Sequence, residues 1–270
     1  MPESDARISP TAHYTSYVWF ANGMSHPALT SRLGHVLYRA LQPLNGAHDL
    51  LTRAGNLESM LLARHRLIDR LLTEAIESER IGQVVEIAAG MSPRGFRFAQ
   101  RYPGLRYIEA DLPVMAGHKR TALAGAGLLG ANHDVVHVDA LVEDGPASLA
   151  ALAGTRLDLK LGTAVITEGL TGYVDRPSLE RMWRNIATVL GRFPQRLYLA
   201  DLVMGVDSTL SARAFAVLLG AMVRGRVHLH YADLAAAEAA LKTAGFGEVT
   251  LHLPEGEGDR RQLVRIVEAT

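Results

Sequence analysis

The sequence predicts an α/β fold in which five parallel strands and a C-terminal antiparallel hairpin form one seven-stranded sheet. From Gln83 onward, apolar strand-like runs alternate with helical patterns, as in a mostly parallel sheet. The last two strand-like runs, EVTLHLP and QLVRIVEA, are separated only by EGEGDRR. This linker is too short for a helical crossover, so the two runs must pair antiparallel. The third observation is a buried strand that runs into a small-residue turn and a helix start over 83–95.

Composition narrows the class of protein. The 270 residues are 48% hydrophobic, which allows a large core, and 28 basic residues balance 28 acidic ones. Zero net charge argues against nucleic acid as an obligate partner. The sequence has no cysteine, which excludes disulfides and thiolate metal sites, and no metal is expected. Because neither a signal-peptide pattern nor a membrane-length apolar run is found, we expect a cytoplasmic protein with no membrane partner.

The N-terminal part differs from the rest of the chain. Residues 1–55 are predicted to form lid or cap helices, followed by a single α/β domain over 56–270. The segment 8–25 is rich in aromatic residues but lacks the period of a helix or a strand. A helix is predicted to begin at Ser25-His26-Pro27 and to end at Pro43. One long amphipathic helix is predicted over 56–79.

The strands and helices of the α/β domain follow in order. Strands are predicted near 83–88, 105–110, 134–138, 161–167 and 196–203, with helices near 93–102, 113–125, 146–153 and 177–190. After the first strand, Ala88, Ala89 and Gly90 remove side-chain bulk where the backbone turns, so that a ligand can approach the main chain. Ser92 and Pro93 then predict a helix start.

Acidic residues follow several strand ends, where ligands of an open α/β sheet bind. Asp111 lies about 20 residues beyond the glycine turn, where a carboxylate can accept both hydroxyls of a ribose. Asp139 could accept the exocyclic amine of an adenine, and Glu168, before Gly169, can face a cationic ligand. Each acid alone is more often a helix cap or a solvated loop residue, but acids at several neighbouring strand ends favour a binding site.

The charge pattern separates candidate cofactors. NAD needs amide donors and cations around its pyrophosphate, whereas no basic residue follows Gly90 until Arg94, which we expect to point to solvent. S-adenosylmethionine carries a sulfonium and an ammonium group and no phosphate, so the acidic strand ends suit it. Its carboxylate needs a cation, and Arg64 lies at the height of the strand ends on the predicted helix. A solvated arginine is the alternative for Arg64.

Six segments carry a resemblance to a known family: ISPTAHYTSYVWFANGMS (8–25), ARHRLID (63–69), VVEIAAGMSPRG (84–95), YIEADLP (107–113), HVDA (137–140) and ITEGLTGYV (166–174). Over nearly the whole chain, the sequence resembles the leucine carboxyl methyltransferase family, in the branch of tetracenomycin-type polyketide carboxyl O-methyltransferases. The resemblance implies a Rossmann-like class I methyltransferase fold. It also implies S-adenosyl-L-methionine as cofactor and a small-molecule carboxylic acid, of aromatic or polyketide type, as methyl acceptor in secondary metabolism.

The resemblance also assigns roles to single residues. ARHRLID resembles the family's Arg-Thr-x-x-Ile-Asp segment, whose arginine binds the cofactor carboxylate, and so points to Arg64. YIEADLP resembles Glu-x-Asp-Leu-Pro and points to Asp111 for the ribose. ITEGLTGYV resembles Glu-Gly-x-x-x-Tyr-Leu and places Glu168 beside the methionine moiety. The first turn departs from the family's Leu-Gly-Ala-Gly-x-Asp, because Ala88 replaces a glycine and Ser92 replaces the acid.

Together these arguments give a set of candidate site residues. The cofactor-binding candidates are Arg64, Glu86, Ala88, Gly90, Asp111, Leu112, Asp139, Ala140, Glu168 and Gly169. We expect the N-terminal segment and an insert over 204–232 to roof the substrate pocket. The substrate-binding candidates are Tyr14, Trp19, Tyr173 and Arg213, of which Arg213 could fix a carboxylate bidentately.

The nature of the acceptor decides whether the enzyme needs a base. A carboxylate is already ionised at neutral pH, whereas a phenol would need a general base. His13 is the candidate base and Tyr17 is expected to line the pocket beside it, although both could be packing residues. The resemblance favours an acid. A phenol or hydroxyl O-methyltransferase, a nicotinamide oxidoreductase and an S-adenosylmethionine-binding protein without methyl transfer stay open, as does a homodimer.

Overall fold

The computed structural model describes residues 10–52, 57–204, 228–255 and 264–270, with the backbone alone for 43–52. Its strands are β1 (Gln83–Ile87), β2 (Arg106–Asp111), β3 (His133–His137), β4 (Thr163–Thr167), β5 (Arg196–Val203), β6 (Val249–His252) and β7 (Val264–Ala269). They form one sheet in the order β3-β2-β1-β4-β5-β7-β6. The first five strands are parallel, and β7 runs antiparallel to both β5 and β6. The predicted sheet and its C-terminal hairpin are confirmed.

Helices cover both faces of this sheet. They are α1 (Pro10–Ala21), α2 (Arg32–Thr52), α3 (Leu57–Glu77), α4 (Arg94–Arg101), α5 (Pro113–Gly125), α6 (Leu149–Arg156), α7 (Arg176–Leu190) and α8 (Leu234–Ala244). On one face, α6, α7 and α8 pack over a core that includes Trp183 and Tyr198. On the other face, α1, α3 and α4 pack over a second core. Of the helices in the described ranges, none combines the length and the apolarity needed to cross a membrane.

The N-terminal segment is helical despite its sequence pattern. Residues 10–21 form a helix, although the sequence there shows no helical period. The reason lies in its surroundings: α1 packs against both α2 and α3, and Tyr14, Val18 and Trp19 are buried there. A helix enclosed on several sides does not need one polar face, so its sequence loses the amphipathic pattern.

The next helix also differs from the prediction. Residues Pro27–Leu29 form a separate 3-10 turn, with the Nδ1 atom of His26 accepting the Ala28 N–H at 3.2 Å. The α-helix begins only at Arg32 and continues through Pro43 to Thr52. A proline inside a helix removes one backbone hydrogen bond and can leave the helix continuous on both sides. Pro43 is therefore not a helix end.

Candidate active site

The turn between β1 and α4 has the open geometry that the small residues suggest. Ala88 and Gly90 both have positive φ angles, of 53° and 48°. A Cβ atom added to Gly90 would meet nothing within 4 Å, so the surface above this turn is unobstructed. The helix starts one residue later than expected, at Arg94, whose N–H lies 3.3 Å from the Ser92 hydroxyl that accepts it. The turn leaves room for a ligand against the main chain.

Asp111 joins this turn to the end of β2. One carboxylate oxygen accepts the Gly90 N–H and the other accepts the Leu112 N–H, both at 2.7 Å. Burial raises the pKa of Asp111, while the two backbone N–H groups oppose the rise. Each oxygen of a carboxylate can accept a second hydrogen bond. Asp111 is thus held in place and still has the capacity to accept ligand hydroxyls.

The neighbouring strand end carries the next acid of the series. Asp139 follows β3, and its carboxylate accepts the Leu141 N–H at 2.9 Å. Ala140 is half-buried, whereas Leu112 and Leu141 are exposed. Because β2 and β3 are adjacent in the sheet, their ends present small and apolar side chains between two carboxylates. This surface suits a flat, uncharged heterocycle with polar groups at its edge.

Arg64 reaches the same edge of the sheet from α3. Its Nε donates to Glu168 at 3.0 Å, and its Nη1 donates to Asp201 at 2.9 Å. Asp201 also accepts the N–H of Gly169, whose φ is +73°. Burial raises the pKa of Asp201, and Arg64 opposes the rise. The predicted pair Arg64 and Glu168 is therefore brought together, with Asp201 as a partner that the sequence reasoning missed.

Arg94 is fully buried, which corrects the expectation that it points to solvent. Each of its three nitrogens meets a different carboxylate: Nε donates to Asp69 at 2.6 Å, Nη1 to Glu86 at 2.6 Å and Nη2 to Glu168 at 2.5 Å. Burial opposes the charge of Arg94, but these acids overcome it and raise its pKa. No nitrogen of this guanidinium is left for a ligand.

These side chains make one buried ionic cluster, which we define as Arg64, His65, Asp69, Glu86, Arg94, Glu168 and Asp201. The Nδ1 atom of His65 lies 2.8 Å from Glu168 and 2.9 Å from the Nη2 atom of Arg94. Burial raises the pKa of Glu168, but His65, Arg94 and Arg64 outweigh it and hold the pKa well below its usual range. Glu168 is thus ionised at neutral pH.

Glu86 lies within this cluster and below the open turn. Its carboxylate is 1% exposed and accepts hydrogen bonds from Arg94 and from the Tyr107 hydroxyl at 2.7 Å. Both oxygens therefore already have a protein donor. The structure places Glu86 as a support of the turn, while its predicted contact with a cofactor stays a prediction.

A second buried charge group underlies the other side of the turn. Glu109 is fully buried, with Lys119 Nζ at 2.5 Å and His133 Nε2 at 3.3 Å from its oxygens. Lys119 also donates to the carbonyl of Ala89 at 3.3 Å. Burial raises the pKa of Glu109, but Lys119 and His133 lower it overall. Glu109, two residues before Asp111, therefore faces the core.

The aromatic candidates of α1 are divided between core and edge. Tyr14 is fully buried and Trp19 is 6% exposed. Tyr17 is half-buried and stacks on His35 with ring centroids 4.9 Å apart. The Nδ1 atom of His13 lies 2.8 Å from the Ser31 hydroxyl, and burial together with His118 lowers the pKa of His13.

Two predicted substrate contacts remain. Tyr173 is 40% exposed and lies near Arg64, which counteracts the rise that burial causes in the pKa of its phenol. Arg213 lies outside the described residues, as does most of the predicted insert over 204–232. From residue 228 onward the chain again contacts the site. The His228 N–H donates to the Gly172 carbonyl, and His230 Nε2 lies against the Thr171 carbonyl, both at 2.8 Å.

Comparison with known proteins assigns this chain to a protein family. The model of the family described as leucine carboxyl methyltransferase matches residues 26–187, more than half of the chain. The chain belongs to the leucine carboxyl methyltransferase family. The matched range runs from the turn before α2 into α7 and includes Arg64, Asp111 and Glu168.

Two sequence relatives are similar to part of this chain. A provisionally named S-adenosyl-L-methionine-dependent methyltransferase of Mycolicibacterium gilvum is 34% identical over 123 residues, which are 45% of this chain and 38% of that protein. A similarly named protein of Streptomyces coelicolor is 34% identical over 127 residues, or 47% of this chain and 43% of that protein. The matched region thus spans about two fifths of the length of these curated relatives.

Solved structures confirm the fold of this family member. A provisionally named methyltransferase from Thermobifida fusca superposes with a TM-score of 0.65 at 13% identity, covering 99% of this chain and 97% of that one. Magnesium protoporphyrin IX methyltransferase from Synechocystis, with bound S-adenosylhomocysteine, superposes with a TM-score of 0.52 at 16% identity. The superposition covers 79% of this chain and 86% of that one. The sheet and its helices therefore have the class I methyltransferase fold.

Sequence reasoning about this leucine carboxyl methyltransferase family member missed four members of its site: His65, Asp69, Asp201 and Lys119. A signal existed for Asp201, because the argument from acids at strand ends applies equally to β5, in which Asp201 lies near the carboxyl end. No comparable signal existed for Lys119 or His65, since each is buried by contacts with elements distant in sequence.

Proposed function

We propose that this protein is an S-adenosyl-L-methionine-dependent O-methyltransferase that acts on a small-molecule carboxylic acid of aromatic or polyketide type in secondary metabolism. The observation that carries the proposal is the charge at the β1–α4 turn. Asp111 and Asp139 face the open edge, whereas Arg94, the basic residue that follows the turn, is wholly engaged by Asp69, Glu86 and Glu168. A pyrophosphate would lack a cation there, while a cationic cofactor without phosphate suits the acids.

The residues present fit S-adenosylmethionine, which when bound supplies an activated methyl group. Gly90 gives room against the main chain, and Asp111 has oxygens in place to accept the ribose hydroxyls. We assign Asp139 to the adenine amine. Arg64 would meet the methionine carboxylate, and Glu168 would lie beside its ammonium group. These contacts position the methyl group without any proton transfer by the protein.

A carboxylic acid acceptor needs little from the protein beyond orientation. Its oxygen is already a nucleophile at neutral pH, so the site must exclude water and align that oxygen with the methyl group. We assign these tasks to the lid over residues 1–55 and to the insert over 204–232, with Tyr173 and Arg213 as acceptor contacts. We place the protein in the cytoplasm, as a monomer or a homodimer.

One contact favours a hydroxyl acceptor as the second candidate. The lowered pKa keeps the His13 imidazole neutral at neutral pH. The Ser31 hydroxyl, which accepts the Gly34 N–H at 3.0 Å, can also accept a hydrogen bond from a protonated Nδ1 of His13. In that tautomer, the lone pair of His13 lies on Nε2, as a general base requires.

Two experiments test this function. Calorimetry should show S-adenosylhomocysteine binding more tightly than NADH, and the reverse order would contradict the cofactor. A methyl-transfer assay against matched pairs of aromatic acids and phenols then identifies the acceptor. His13→Ala should reduce turnover of a phenol ~10²–10⁴-fold and that of an acid far less. Cofactor binding without transfer to any acceptor would support a non-methylating role.

A further inference from the structure

Arg64 is held at two of its three guanidinium nitrogens. Nε is bound to Glu168 at 3.0 Å and Nη1 to Asp201 at 2.9 Å, and the side chain is only 11% exposed. The third nitrogen, Nη2, lies against the turn after β4, where a Cβ atom added to Gly169 would come within 3.4 Å of it. The two acids therefore fix the plane of the guanidinium and aim Nη2 at the backbone of Gly169.

Asp201 binds both Arg64 and the turn that contains Gly169. Its side chain is 2% exposed, and its two oxygens are shared between Arg64 on α3 and the N–H of Gly169 at 2.6 Å. One carboxylate thus fixes the arginine and the turn relative to each other. The backbone of Asp201 has an independent attachment, because its carbonyl accepts the Thr171 hydroxyl at 2.7 Å.

We propose that Asp201 is a positioning residue, which presets Arg64 to receive the carboxylate of the cofactor's methionine moiety. The inference rests on the proposed function, in which Arg64 binds that carboxylate. A flexible arginine would lose conformational entropy on binding. Because Asp201 and Glu168 order Arg64 in the free protein, this loss occurs on folding and not on binding.

Asp201→Asn tests the proposal with little change of shape. Arg64 and the Gly169 N–H donate to different oxygens of Asp201. Asparagine has one oxygen and a donor NH₂ group in place of the other, so it cannot accept from both in this geometry. The matched control is Asp134→Asn on β3, which also removes the charge of a strand aspartate paired to an arginine, Arg156, at 2.6 Å. Thermal unfolding of both variants shows whether each is folded.

The readout compares two ligands. S-adenosylhomocysteine carries the amino-acid carboxylate, whereas methylthioadenosine shares the nucleoside and thioether but lacks it. Asp201→Asn should weaken binding of S-adenosylhomocysteine roughly 10-fold, which corresponds to the lower end of the range for a charged hydrogen bond. Binding of methylthioadenosine should be unchanged. A general structural role would weaken both ligands equally, and either that result or unchanged binding of S-adenosylhomocysteine would overturn the proposal.

Further variants separate this proposal from the function on which it rests. Suppose that Arg64→Ala selectively loses binding of S-adenosylhomocysteine while Asp201→Asn binds it normally. This pair of results would reject the role of Asp201 and keep that of Arg64. A wild-type protein that binds neither nucleoside would reject the proposed function itself. If Asp201→Asn does not fold, Asp201→Glu gives the same comparison, because the added methylene displaces the carboxylate from Arg64 and from the Gly169 N–H while the charge is kept. Equal effects of Asp201→Glu on binding of the two ligands would then overturn the proposal.

Discussion

The indole of Trp19 on α1 lies against the imidazole of His65 on α3, with ring centroids 4.8 Å apart. His65 in turn contacts Glu168, so one side chain of the N-terminal helix covers the buried ionic cluster. A truncation of residues 1–20 would remove Tyr14, Val18 and Trp19 from the core. Point substitutions therefore test the role of the lid more cleanly than deletion does.

Arg64→Ala is expected to weaken binding of S-adenosylhomocysteine strongly, since the substitution removes the proposed carboxylate partner. The matched control is Arg66→Ala on the same helix, because Arg66 is exposed. Calorimetry on both variants checks the order. A larger loss for Arg66→Ala would place the carboxylate on the other face of α3.

Asp111→Ala should weaken the binding free energy of S-adenosylhomocysteine by roughly 1.5–3 kcal/mol, the usual cost of losing a charged hydrogen-bond acceptor. Glu109→Ala serves as the contrast, because it leaves buried Lys119 unpaired and should lower the free energy of unfolding. Denaturation and calorimetry on both variants separate the two effects. An unchanged affinity in Asp111→Ala would remove this residue from the ribose site.

Gly95→Ala should destabilise the protein by about 2 kcal/mol or more, as expected for overpacking in the core. An added Cβ atom would lie 1.7 Å from a Glu109 oxygen and 2.7 Å from His133 Nε2. Gly117→Ala is the control in another helix, where a Cβ atom meets nothing within 4 Å. The free energy of unfolding of Gly117→Ala should rise by about 0.5–1 kcal/mol. Urea denaturation compares the two variants.

Ala88→Gly should raise the free energy of unfolding by about 0.5–1 kcal/mol. The left-handed φ of 53° costs alanine ~1–2 kcal/mol, which exceeds the entropy that glycine loses on folding. Ala89→Gly next to it lacks a positive φ and should lose stability. Equal destabilisation by both substitutions would show that residue 88 is unstrained.

Glu168→Gln should destabilise the protein by about 3–5 kcal/mol at neutral pH, because it removes a buried carboxylate that is paired with both Arg64 and Arg94. The depressed pKa of Glu168 means that its contribution is present above the unfolded-state pKa of about 4.3. It is lost as the pH falls through the lower folded-state value. The variant should therefore show a smaller acid-dependent loss of stability than wild type, with the exposed Glu74→Gln as control.

The fold was predictable because alternating strands and helices are encoded locally, in runs such as 83–87 and 196–203. The strand-end rule likewise located Asp111, Asp139 and Glu168 on one edge. The orientation of Arg94 was not predictable, because its three carboxylate partners come from α3, β1 and the end of β4. The bounds of the helix at 10–21 could not be predicted, because burial by neighbouring helices removes the amphipathic period on which such a prediction depends.

The three-fold pairing of Arg94 has a consequence for how this family can change its sequence. Replacing Arg94 alone leaves the buried carboxylate of Glu86 without a cationic partner and removes one from Glu168, at a cost of several kcal/mol. Total stability is of the order of 5–15 kcal/mol, so a single exchange at this position would be strongly disfavoured. Homologues that lack Arg94 should therefore also have exchanged at least one of its acids, and an alignment of homologues would show these positions changing together.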